Sequence, residues 1–124
     1  MTDLTEHQIW SLERLGRLLI SSDRRVDARA MFEGITRVAP QRSYAWYALA
    51  RLEAESGSES RALDYSVHAM RLEASARNRL LCAELHLKAG DHETAAEALT
   101  GLAELPAGPE RDRAIVLKRR WFGG

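Results

Sequence analysis

The chain has 124 residues, 45% apolar and 29% charged, which suits one folded domain with its own core. Its 18 basic residues balance 18 acidic ones, so no bulk field steers it toward nucleic acid or an anionic membrane surface. A lone cysteine, Cys82, excludes an internal disulfide; the opening MTDLTEHQIW has neither the basic nor the apolar part of a signal peptide, and no apolar run approaches the roughly 20 residues of a membrane span, so a cytoplasmic location without membrane insertion is expected.

The first predicted helix begins near Glu6, because Thr5 and Gln8 have the spacing of a capping box. Ile9, Leu12, Leu15 and Leu19, with Trp10, Gly16 and Ile20 beside them, make the broad stripe of a helix covered on more than one side, and Ser21-Ser22-Asp23 ends it. A second helix holds Val26, Ala28, Ala30, Met31, Phe32, Ile35 and Val38 and stops at Ala39-Pro40, since the residue before proline disfavours helical backbone. Ser43 is placed to cap a third helix carrying Tyr44, Trp46, Tyr47, Leu49 and Ala50, which runs to Ser56-Gly57-Ser58. A fourth carries Ala62, Leu63, Tyr65, Val67, Ala69, Met70 and Leu72, and a fifth runs from about Ala76 through Leu80, Leu81, Leu85 and Leu87. Gly90 and Asp91 make the next turn, with Asp91 as a cap for a sixth helix filled by Ala95, Ala96, Ala98, Leu99 and Leu102. After Pro106-Ala107-Gly108-Pro109 a last helix places Ala114, Leu117 and Trp121 in one stripe among Arg111, Arg113, Lys118, Arg119 and Arg120.

These helices recur in pairs. Ala28, Ala62 and Ala96 lie 34 residues apart, and 16 residues before each stands Leu12, Trp46 or Leu80. Thirteen residues before come Leu15, Leu49 and Ala83, the next slot reads Gly16, Ala50 and Glu84, and seven residues after the alanines come Ile35, Ala69 and Ala103. With Pro40 closing the first unit, the pattern resembles the tetratricopeptide repeat. The resemblance implies an all-α solenoid of three helix pairs at about 9–42, 43–76 and 77–110, then a C-terminal capping helix at about 110–122, in a single domain over 1–124. Some slots depart from the pattern: Glu84 stands where a small residue is called for, Glu53 where Leu19 and Leu87 are apolar, and Ser66 and Thr100 where Phe32 is aromatic.

No catalytic set stands out. His7, His68, His86 and His92 are scattered without an i,i+4 pair, no second cysteine completes a zinc site, and no glycine loop is built to cradle phosphate. Metal and cofactor are therefore not expected, Cys82 reads as a core thiol, and the chain reads as a non-enzymatic binding protein. Lys118-Arg119-Arg120 beside Trp121 and Phe122 has the residue types of a nucleic-acid or protein contact, but a capping helix accounts for it more simply and nucleic acid is not expected.

In tetratricopeptide arrays the first helix of each unit lines a concave groove. The resemblance thus implies partner-binding positions at Trp10, Glu13 and Arg17, at Tyr44, Tyr47 and Arg51, and at Asn78, Leu81, Leu85 and Lys88, each set on one helical face. Aromatic bodies beside arginine and asparagine suit an extended peptide, whereas the plain alternative has the tyrosines packing between repeats. The short chain and the stretch Cys82-Ala83-Glu84-Leu85-His86-Leu87-Lys88-Ala89-Gly90-Asp91, Glu84 included, further resemble the small tetratricopeptide chaperones of bacterial type III secretion, which hold translocator proteins in the cytoplasm before export. A chaperone holding an extended segment of a secreted translocator is the implied function. The alternative is a scaffold, adaptor or secretion-apparatus protein that pairs with one folded partner. A homodimer stays open, since the longer N-terminal helix by which many of those chaperones dimerise is not seen in this sequence.

Overall fold

A computed structural model describes residues 4–123; residues 1–3 and Gly124, counted above at the ends of the domain, lie outside the described residues. The described chain is α-helical throughout: α1 (Glu6–Ser21), α2 (Arg25–Val38), α3 (Ser43–Glu55), α4 (Glu59–Leu72), α5 (Ala76–Ala89), α6 (His92–Ala103) and α7 (Pro109–Phe122). Each helix packs on the next in sequence, and α7 also packs against α5. Connections this short make sequence neighbours antiparallel, so the helices stack as an array of hairpins closed by α7.

Local chemistry sets the helix ends. The Thr5 hydroxyl accepts from the Gln8 backbone N–H at 3.1 Å while the Gln8 side chain accepts from the Thr5 N–H at 2.8 Å, completing the expected capping box. The Asp91 carboxylate accepts from the Thr94 N–H at 3.3 Å, following Gly90, whose φ of 86° is a left-handed turn that glycine adopts without strain. Ser43 differs from expectation. It is the first residue of α3, behind Arg42, and its hydroxyl donates to the Glu73 carboxylate at 2.6 Å, joining the start of α3 to the link between α4 and α5.

Two apolar clusters form the core, one centred on Phe32, Ile35 and Leu49 and the other on Leu99, Leu102 and Leu117. Within the first pair, a Cβ built on Gly16 would come within 2.5 Å of the Phe32 ring, so only glycine lets α1 lie this close to α2. Ala28 and Ala62 are fully buried at the corresponding place in α2 and α4. In the third pair that place belongs to Ala95, also fully buried, and Ala96 is only half-buried. The cause is the connection from α4 to α5, residues 73–75, which is one residue shorter than residues 39–42 between α2 and α3. Every slot beyond it moves back by one: Ala83 takes the small slot in place of Glu84, Leu99 the slot assigned to Thr100, and Leu102 that assigned to Ala103, all three buried.

Glu53 keeps its slot and is 2% exposed, with its carboxylate ion-paired to Arg29, which also donates to the Ser56 hydroxyl at 3.2 Å. Cys82 is buried, and burial pushes its thiol pKa up against the opposing effect of a hydrogen bond with Ser66, so it behaves as core. Leu15 is 44% exposed, because no helix among the described residues covers that flank of α1, and Trp121, 46% exposed, leaves the α7 stripe that Ala114 and Leu117 bury.

Gly16→Ala should lower stability by about 1–3 kcal/mol in urea unfolding, although alanine is the better helix former by about 1 kcal/mol. Phe32→Leu should recover part of that loss in the double variant, and Ala95→Leu should cost more than Ala96→Leu.

Candidate functional site

The faces of α1, α3 and α5 that point away from their paired helices form one concave surface. Three adjoining cavities run along it. The first lies among Trp10, Glu13, Arg17, Arg42, Tyr44, Glu73 and Arg77. The second, about 310 Å³, lies among Tyr47, Arg51, Arg77, Leu80, Leu81, Glu84 and Glu110. A third, about 220 Å³, has apolar walls of Ile20, Ala48 and Leu52 and a rim of Arg17, Tyr44, Tyr47, Arg51 and Glu55. Tyr44 and Tyr47, one helical turn apart on α3, divide the cavities, with ring centres 5.9 Å apart.

Both tyrosines are topped by cations, and Tyr44 is also held from behind. Tyr44 meets the Phe32 ring edge-on at 5.9 Å, so its position is fixed by the first core cluster. Burial pushes its phenol pKa up, with Arg17 and Arg77 opposing. The Tyr47 hydroxyl accepts from Arg51 at 3.4 Å, an i,i+4 contact along α3. Arg17 stands 5.4 Å from the centre of the Tyr44 ring, and Arg77 stands 5.0 Å from Tyr44 and 4.8 Å from Tyr47.

Glu13 borders the groove but is already engaged. Its two oxygens accept from Nε of Arg42 at 3.0 Å and from Nη2 at 2.6 Å, a bidentate pair that fastens α1 to the start of α3. These bonds with Glu13 are the main reason the Arg42 pKa is raised. The opposite end of the groove is closed by α7, where Arg113 pairs with Glu84 at 3.5 Å.

Of the positions read from the sequence, Trp10, Arg17, Tyr44, Tyr47, Arg51 and Leu81 line the cavities, with Glu13 in their wall. Asn78 and Leu85 do not. Both are buried, and Asn78 instead donates to the Glu73 carbonyl at 2.8 Å, bracing the short link into α5. Lys88 is exposed in the last turn of α5. The one-residue shortening at 73–75 turns α5 by one position, so Arg77, Leu80 and Glu84 stand where Asn78, Leu81 and Leu85 were expected. The signal was present: Ala83, Ala95, Leu99 and Leu102 restore the small and apolar slots at an offset of 33 residues from α3 and α4.

No protein-family profile and no curated protein matches the sequence. Solved structures do. The type III secretion translocator chaperone SycD of Yersinia enterocolitica superposes with a TM-score of 0.82 at 16% identity, covering 95% of this chain and 86% of SycD. PcrH of Pseudomonas aeruginosa, solved in complex with the chaperone binding region of PopD, gives 0.81 at 20% identity over 97% of this chain and 96% of its own. The TPR domain of Sgt2 from Aspergillus fumigatus gives 0.77 at 15% identity over 95% and 80%. The chain has the fold of a tetratricopeptide-repeat solenoid. At these identities the likeness establishes the fold, and the expected all-α array of helix pairs with a closing helix is the one observed.

Glu13→Ala should destabilise by about 1.5–3 kcal/mol, because it strips a charged hydrogen-bond partner from Arg42. Glu6→Ala, whose pairing with the same arginine is solvent-exposed, should change urea stability far less.

Proposed function

We propose that this chain is a non-enzymatic, cytoplasmic chaperone that holds an extended segment of a secreted translocator across α1, α3 and α5. The observation that carries this reading is the open row of cavities divided by Tyr44 and Tyr47 and walled by Leu52, Leu80 and Leu81. Rigid aromatic rings offer contact area at small entropic cost, and apolar pockets at intervals accept alternate side chains of an extended peptide. Two of the solenoids it superposes on favour the same use. PcrH has been solved with the chaperone binding regions of PopD and PopB, and SycD with a peptide of the translocator YopD. No described helix is long and apolar enough to cross a membrane. We take the three repeats at about 9–42, 43–76 and 77–110 to act as one binding domain closed by the helix at about 110–122.

A second reading, an adaptor for one folded partner, draws on the end of α7. Trp121 and Phe122 are 46% and 39% exposed there, gathered around His92 with ring centres 5.4 and 6.3 Å away.

Affinity capture from the native cell, followed by mapping of the bound segment, supplies the ligand for the deciding test. Tyr47→Ala should weaken that segment's binding by about 2 kcal/mol or more while the chain stays folded. A loss of about 3–5 kcal/mol in stability instead would mark Tyr47 as a core wedge. Folded Tyr47→Ala and Arg51→Ala variants that bind with unchanged affinity would remove the groove from the mechanism and point to Trp121 and Phe122.

A further inference from the structure

The three arginines on the groove tyrosines are unspent. Among the described residues none of Arg17, Arg51 and Arg77 forms an ion pair within the chain. The buried Nε of Arg77 also has no hydrogen-bond acceptor. Of the carboxylates bordering the same cavities, Glu13 pairs with Arg42, Glu55 with Arg25 and Glu84 with Arg113, and Glu73 accepts from the Ser43 hydroxyl, whereas Glu110, where α7 borders the second cavity, has no ion pair among the described residues. The faces of Tyr44 and Tyr47 therefore carry three guanidinium groups with no ion-pair partner, and Glu110 stands at the α7 border of the second cavity.

Stacking explains how such a patch persists. A guanidinium laid over an aromatic face is stabilised by the ring and keeps its N–H edge available, and that edge matches the two oxygens of a carboxylate. Arg51 and Arg77 both stand over Tyr47, at 6.0 and 4.8 Å from its ring centre, and both wall the cavity that Leu80 and Leu81 floor. An apolar wall beside the patch lowers the local dielectric, which strengthens a charged contact made there.

We infer that the groove selects an acidic segment: an extended peptide that seats an Asp or Glu side chain against Tyr47 between Arg51 and Arg77, with apolar side chains on either side of it in the flanking cavities. This rests on the groove reading proposed above and specifies the chemistry of its partner. Charge complementarity is the ground for it, since an aliphatic or basic segment would leave the arginines desolvated without an acceptor.

The probes are decapeptides blocked at both ends, so that no chain-terminal charge contributes, alternating leucine and serine and carrying Glu, Gln or Lys at one central position. Fluorescence anisotropy on the full chain reads their Kd at low and high salt. The Glu peptide should bind about tenfold more tightly than its Gln isostere, with Lys weakest and the difference shrinking as salt rises. Arg77→Gln should erase the Glu-over-Gln preference; exposed Arg51→Gln gives the same reading should Arg77→Gln fold poorly. Equal affinity for the Glu and Gln peptides, with both still dependent on Tyr47, would overturn the acidic preference and leave the groove reading standing. A preference that survives both arginine variants would also overturn it. Absence of any Tyr47-dependent binding would overturn the groove reading and this inference together.

Discussion

The ring of Phe32 occupies the space into which any side chain on Gly16 would project, and much of the molecule follows from that contact. It brings α1 and α2 into close approach, and it repeats in kind wherever a small residue on one helix faces a larger one on its partner. Phe32 also supports Tyr44, so the same ring that sets the helix pairing positions the first aromatic wall of the groove. Fold and site are joined through one side chain. In a stack where units are stabilised mainly by their interfaces, a disturbance there is felt along the array.

The helices and turns were legible in the sequence because several ends are written in local chemistry: a capping box at Thr5, proline after Ala39, left-handed glycine at Gly90. The register of the third pair was not, because a strict 34-residue offset carries across a connection that is one residue shorter at 73–75. That single residue made Glu84 and Thr100 look anomalous, made Ala96 stand in for Ala95, and sent Asn78 and Leu85 to the groove when they belong to the core. Glu53 is a different case. It breaks the apolar pattern in truth, and only the three-dimensional position of Arg29 shows how a carboxylate is tolerated there.

The first two helix pairs gave up their groove residues because the tetratricopeptide resemblance says which helix of each unit lines the groove and 3.6-residue spacing fixes which side chains share a face. Arg77 was beyond reach for the same reason that the register was. Glu13 illustrates a subtler limit: its position on the groove face was readable, but its engagement by Arg42, 29 residues away in sequence, depends on how α1 meets the start of α3. Spacing places a side chain; only packing tells whether its hydrogen-bonding capacity is left for a partner.

The central claim is that a partner lies in the concave groove between α1, α3 and α5, and the three tyrosines of the chain report on it directly. Tyr44 and Tyr47 stand in the groove, while Tyr65 lies on α4 against Trp46, with ring centres 5.9 Å apart. Ring signals of selectively labelled tyrosine should be followed by NMR as the mapped partner segment is added. Movement of the Tyr44 and Tyr47 signals with Tyr65 unchanged is the result this account predicts; movement of Tyr65 while Tyr44 and Tyr47 stay in place would contradict it.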